Sequence, residues 1–170
     1  MKVGMHKGGY TPFSFDITSA LKKSGANTLV VRVYDPTDAG YQPRGKQVNR
    51  PEGIWYTPVS GIWQTVWLEP VAETHIDNLR ILPDIDRNIL SVGVETSSES
   101  PALVAEVVVF DGDREVARGR SVNNQAVEVA MPEQVKLWSP DAPNLYDLQV
   151  RILRDGKVVD QVSSYAAMRK

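Results

Sequence analysis

Apolar and polar residues alternate with a period of two along most of the chain, so the sequence predicts strands rather than helices. Thr28–Tyr34 (TLVVRVY) and Ile62–Leu68 (IWQTVWL) both alternate and are rich in β-branched and aromatic residues. Beyond Pro70 the runs become regular: Thr74–Leu82, Asn88–Thr96, Ala102–Phe110, Glu115–Arg120, Ala126–Met131, Leu145–Arg154 and Lys157–Ala167. In the run from Tyr146, the residues Tyr146, Leu148, Val150 and Ile152 share one face, and Asp147, Gln149 and Arg151 share the other. One buried and one wet face is what a sandwich sheet needs. Asp111-Gly112 and Asp155-Gly156 fall between alternating runs and mark tight hairpins. Helical spacing occurs at Asp16–Lys23, with Asp16 placed to cap it and Gly25 to end it. That segment is about two turns long and cannot stand alone. The expected fold is all-β: a partial jelly-roll (galactose-binding-like) sandwich over residues 1–70, then a seven-stranded immunoglobulin-like β-sandwich over residues 71–170.

Charge supports the same division. Residues 1–70 carry eight Lys/Arg against five Asp/Glu, whereas residues 71–170 carry eleven against sixteen, so the sign changes near Pro70. The chain as a whole has a formal charge of −2, which argues against nucleic acid as the main partner. Cysteine is absent, so stability must come from apolar burial rather than from disulfides. No apolar run is long enough for a membrane helix. The first residues do not read as a signal peptide, which leaves the compartment open, with periplasmic or secreted favoured over cytoplasmic.

Several stretches carry a resemblance. Val3–Thr18 (VGMHKGGYTPFSFDIT), Gly25–Val33 (GANTLVVRV), Gln42–Gln47 (QPRGKQ) and Ile54–Leu68 (IWYTPVSGIWQTVWL) occur in that order. Val135–Tyr146 (VKLWSPDAPNLY) and Ser164–Lys170 (SYAAMRK) follow. Together they resemble glycoside hydrolase family 2, the family of β-galactosidases, β-glucuronidases and β-mannosidases. The resemblance spans the whole chain. Ala166 and Ala167 stand where many members have Phe and Gly. It implies a fragment that holds the later part of the sugar-binding jelly roll and the immunoglobulin-like domain, without the catalytic (β/α)8 barrel.

Retaining glycosidases use two carboxylates about 5–5.5 Å apart. The resemblance places both in the barrel, and the family's Asn-Glu barrel motif does not occur here. No catalytic residue is therefore assigned to this chain. Glu106, between Ala105 and Val107, reads as a solvated strand residue. His6 and His75 lie far apart with no cysteine to assist, so neither metal nor cofactor is expected. At least one of Trp63 and Trp67 should be core, and Trp138 should plug the end of the sandwich.

The long connection from Asp35 to Pro58 is the functional candidate, because a loop of more than about 15 residues inside a compact domain is usually functional or disordered. Its aromatics argue against disorder, and it has no acid between Asp38 and Glu52. Planar polar and aromatic side chains are suited to sugars. The resemblance implies that this loop approaches the barrel's active site, with Asp35, Asp38, Gln42, Arg44, Lys46 and Trp55 lining one side of a substrate cleft. The alternative is that the loop only packs domains together. The implied partners are carbohydrate through the parent enzyme, and the missing catalytic barrel of the same protein. A jelly roll lacking strands would also expose sheet edges open to self-association. The rival readings are a freestanding carbohydrate-binding module and a protein-interaction β-sandwich.

Overall fold

The computed structural model describes residues 1–122 and 125–169. The chain forms two compact units, Met1–Leu68 and Glu69–Lys170.

The second unit is a β-sandwich of long antiparallel strands. They are β1 (Ile76–Asp84), β2 (Ile89–Thr96), β3 (Leu103–Asp111), β4 (Arg114–Val122), β5 (Val127–Ala130), β6 (Trp138–Ser139), β7 (Ala142–Pro143), β8 (Tyr146–Arg154) and β9 (Lys157–Ala166). One sheet has the order β1-β2-β5 and the other β4-β3-β8-β9, with β6 and β7 forming a small separate ladder. Each of the seven long runs expected from the sequence is a strand, displaced by at most two residues at its start. The pair β6 and β7 was not foreseen, because two-residue strands leave no periodicity.

The turns follow from their residues. Asp155 (φ 51°) and Gly156 (φ 74°) make a two-residue loop with both φ positive, whose twist matches that of β8 and β9. Asn88 (φ 57°) ends the β1–β2 connection. Its side-chain Nδ2 donates to the carbonyls of Met131 (3.0 Å) and Pro132 (2.7 Å), tying that turn to the end of β5.

Side chains from both sheets share one core. Leu90, Val92, Val127 and Val129 come from one sheet, and Val107, Val109, Tyr146, Leu148, Val150 and Ile152 from the other, all nearly inaccessible to water. The predicted inward face of β8 is therefore the observed one. Each fully buried Val or Leu contributes roughly 1.5–3 kcal/mol. Gly119 lets β4 press against β5: a Cβ there would lie 2.8 Å from the Glu128 carbonyl oxygen and 2.9 Å from Val127 Cγ1. The other long edge is joined by side chains. Asp160 accepts the Ile76 N–H at 2.8 Å, and Arg154 donates to Thr74 Oγ1 at 2.9 Å.

Tyr146, not Trp138, seals the end of the sandwich. It is buried at the first position of β8, and its hydroxyl accepts the Lys136 N–H at 2.7 Å. This is the corner lock of immunoglobulin-like sandwiches. Trp138 is only half-buried and lies under the Arg169 guanidinium, 4.7 Å from its ring centroid.

The first unit is different. Among its described residues Thr37 alone is buried, and no strand is present. Thr28–Tyr34 and Ile62–Leu68 do not pair with each other or with another segment, so the expected strands there are not formed. β-propensity expresses itself only against a partner ladder and a packed face, and neither run has one here. The expected helix over Asp16–Lys23 reduces to a 3-10 turn at Thr18–Ala20. Asp16 does accept the Thr18 N–H at 2.8 Å, and hydrogen bonding from the Thr18 side chain and then its backbone holds the Asp16 carboxyl below the usual range. Trp63 and Trp67 are 70% and 69% exposed, so neither is core. Aromatic contacts give the start of this unit local order. His6 stacks on Phe13 at 4.4 Å, Tyr10 meets Trp63 edge-on, and Trp63 Nε1 donates to the Gly9 carbonyl at 2.7 Å.

Candidate functional site

The loop from Asp35 is held by its own polar side chains. Asp35 Oδ1 accepts the Thr37 N–H at 2.9 Å, and its other oxygen faces the Ser60 hydroxyl at 3.5 Å. Ala39 N–H donates to the Pro36 carbonyl at 3.0 Å, closing a turn. Gln42 Nε2 then donates to the Thr37 carbonyl at 2.6 Å across that turn. A Cβ at Gly40 would come within 2.5 Å of Gln42 Oε1, so a larger residue there would have to displace the Gln42 amide. Asp38 Oδ1 accepts both the backbone N–H of Asn49, at 3.2 Å, and its side-chain amide. Lys46 accepts the Tyr56 N–H at 2.8 Å through its carbonyl, and Val48 N–H donates back to Tyr56 at 3.1 Å. Gln47 Oε1 accepts the Val59 N–H at 2.6 Å.

These bonds bring the six expected residues into one loop in two distinct roles. Asp35, Asp38 and Gln42 spend their polar atoms on the loop itself. Arg44, Lys46 and Trp55 lie on its surface, with the Arg44 guanidinium 5.7 Å above the Trp55 ring. A cation over an indole face occupies that face and contributes about 0.5–1 kcal/mol at an exposed site. Asn49 and Gln47, which fasten the loop's two arms, carried no distinguishing signal beyond their amide chemistry.

The sandwich holds a polar cluster that the sequence reading misjudged. Glu106 points away from the core, yet it is 1% exposed. Its Oε2 accepts Arg118 at 3.0 Å and Arg120 at 2.7 Å, and its Oε1 accepts Arg151 at 3.1 Å. Glu115 takes the remaining donors of Arg118, at 3.0 and 2.8 Å. Arg151 also donates to Gln161 at 3.0 Å and to Gln149. Burial raises the Glu106 pKa, but hydrogen bonds from Arg120 and Arg118 outweigh it and hold the carboxyl below its ordinary range. The expectation of a solvated residue fails because β3 lies inside its sheet, where the long arginine stems of β4 and β8 roof it. The turn after Asp111 would by itself set Glu106 opposite Gly119; a β-bulge between Val109 and Phe110 shifts the register by one and brings Arg120 across from it.

His75 is also committed to local structure, its Nδ1 2.7 Å from the Ala72 carbonyl and its Nε2 3.1 Å from Asp77.

The sequence model of glycosyl hydrolases family 2 matches residues 74–169, more than half of the chain. The chain belongs to glycosyl hydrolases family 2. Family relatives match the first unit as well as the sandwich. The beta-galactosidase of Thermoanaerobacter pseudethanolicus is 26% identical over 177 residues, covering 98% of this chain and 23% of its own length. The beta-galactosidase of Priestia megaterium is 28% identical over 184 residues, covering 98% of this chain and 17% of its own length. Among solved structures, the FMN-binding beta-glucuronidase from Facaelibacterium prausnitzii L2-6 aligns with a TM-score of 0.49 at 21% identity, over 57% of this chain and 17% of that one. This family 2 chain thus spans about a fifth of the length of the curated relatives it matches.

Proposed function

We propose that the chain is a non-catalytic accessory part of a retaining, β-galactosidase-like family 2 glycoside hydrolase. In this reading residues 1–70 are the later part of a jelly-roll sugar-binding domain, and residues 71–170 are an immunoglobulin-like scaffold. The partners are carbohydrate, reached through the parent enzyme, and the parent's catalytic barrel. The observation that carries the reading is coverage: relatives named beta-galactosidase match nearly all of this chain with about a fifth of their own length.

The chemistry of the buried carboxylate supports it. Glu106 is bound by three arginines and kept ionised, so it has no proton to give, and its buried oxygens are committed to guanidinium groups rather than open to a substrate. Its role is to hold a sheet together.

The Asp35–Pro58 loop is proposed as one wall of the substrate cleft. Asp35, Asp38 and Gln42 set its shape, while Arg44, Lys46 and Trp55 face the glycoside. Hydrolysis of nitrophenyl β-galactoside, β-glucuronide and β-mannoside by the purified chain tests the accessory role, and no turnover is expected. Turnover abolished by a single Glu or Asp substitution in this chain would overturn it. Titration with methyl glycosides at tens of millimolar, followed by amide chemical shifts, tests the wall. Shifts confined to residues 35–58 are expected, weakened in Arg44→Ala; shifts elsewhere, or none, would sink it.

A further inference from the structure

Resting on the loop reading above, we infer that Tyr41 is the stacking residue of this site, and that its ligand is a pyranoside presenting a face of C–H bonds to the phenol ring. Tyr41 is absent from the residues assigned so far. It is 109% exposed, against 39% for Trp55, so its ring makes no appreciable contact with the chain. Trp55 has one face under the Arg44 guanidinium. Of the loop's three aromatic rings, Trp55 is engaged by a cation, and of the other two Tyr41 is more open than Tyr56, which is 63% exposed.

An exposed side chain is a useful platform only if its base is fixed. The turn that carries Tyr41 is fastened. Gln42 follows it, tied to the Thr37 carbonyl at 2.6 Å. Thr37 is itself the buried residue of this unit, and Asp35 holds its N–H. Pro43 follows Gln42 and restricts the backbone further. Asp38 anchors the same turn to Asn49 on the other arm of the loop. Tyrosine has two side-chain torsions to immobilise, so a ring on such a base gives contact area at low entropic cost. Its hydroxyl adds a donor and an acceptor at the ring's far edge, suited to sugar hydroxyls.

The test uses the full 170-residue chain. It is titrated with methyl β-D-galactopyranoside and methyl β-D-glucuronide while the Tyr41 ring protons and the amides of residues 35–58 are followed. The expected result is a shift of the Tyr41 ring signals with the glycoside. Tyr41→Ala should weaken binding about three- to tenfold, more than Trp55→Ala does, and Tyr41→Phe should retain most of it. Binding that Trp55→Ala weakens and Tyr41→Ala leaves intact would overturn this assignment while sparing the loop as a sugar wall. No response of residues 35–58 to either glycoside would overturn both.

Discussion

Glu106 and Arg120 stand directly opposite one another on β3 and β4, and Arg120 Nε reaches the carboxylate at 2.7 Å. Arg151 opposes the same glutamate from β8, so one carboxylate joins three adjacent strands. Removing it leaves three guanidinium groups on one face with Glu115, which holds Arg118, as the remaining anion of the cluster.

Glu106→Ala is therefore expected to destabilise the sandwich by about 1–3 kcal/mol, the range for hydrogen bonds to a charged group, because the arginines left behind are partly exposed and Arg118 keeps Glu115. Urea unfolding of the full chain followed by far-ultraviolet circular dichroism reads this directly. A midpoint within error of wild type would show that the arginines are solvated and the cluster contributes nothing.

The same group sets a pH dependence. Its folded-state pKa is depressed, so its contribution is fully present above the ordinary glutamate range and is lost as pH falls through the folded value. Stability from this source should be constant above about pH 5 and decline below about pH 4. Glu106→Gln, which cannot titrate, should flatten that decline. An equally steep acid limb in Glu106→Gln would assign the loss to other carboxylates.

Gly119→Val would place side-chain atoms where the Glu128 carbonyl oxygen already stands, 2.8 Å from an added Cβ. Forcing β4 and β5 apart should cost about 1–3 kcal/mol. Gly93→Ala serves as the control, because its Cβ would meet Arg80 Cβ at an ordinary 3.5 Å. Equal losses at the two positions would mean that strand entropy rather than the close approach is being measured.

Tyr146→Phe deletes one hydrogen bond, to the Lys136 N–H at 2.7 Å, and keeps the buried ring. A loss of about 0.5–1.5 kcal/mol is expected. Faster hydrogen exchange at the Lys136 amide should accompany it, and unchanged exchange there would remove the hydroxyl from the lock.

The two units should differ in their resistance to protease. Brief trypsin treatment is expected to cut at Lys22, Lys23 and Arg32, where the chain is exposed and outside any strand, before it cuts at Arg151 inside β8. Simultaneous cleavage at these sites would mean that residues 1–68 are as cohesive as the sandwich.

The sandwich was legible because its information is local and repeated. Alternation in Tyr146–Ile152 names the inward face, and Asp155-Gly156 names the turn that follows. The same logic misled over Thr28–Tyr34 and Ile62–Leu68, where alternation reports a capacity for pairing and not the presence of a partner. Glu106 was misread for a related reason. Its neighbours in sequence say that it points outward, but only the cross-strand register says that Arg118, Arg120 and Arg151 cover it. In the loop, the polar residues singled out by chemistry lie in one hydrogen-bonded segment. Their division into loop-formers and surface groups depends on carbonyls and amides that no side-chain motif reveals.

The sandwich's two long edges are joined in unlike ways. Along β4 and β5 the contact is a close approach at Gly119, whose backbone packs on the Glu128 carbonyl and the Val127 and Val129 side chains with no room for a Cβ. Along β1 and β9 it depends on Asp160, Thr74 and Arg154, whose bonds water can replace one at a time. Thermal breathing of the two layers is then one-sided: the sheets pivot about the glycine edge, and deuterium or denaturant enters the core from the opposite flank.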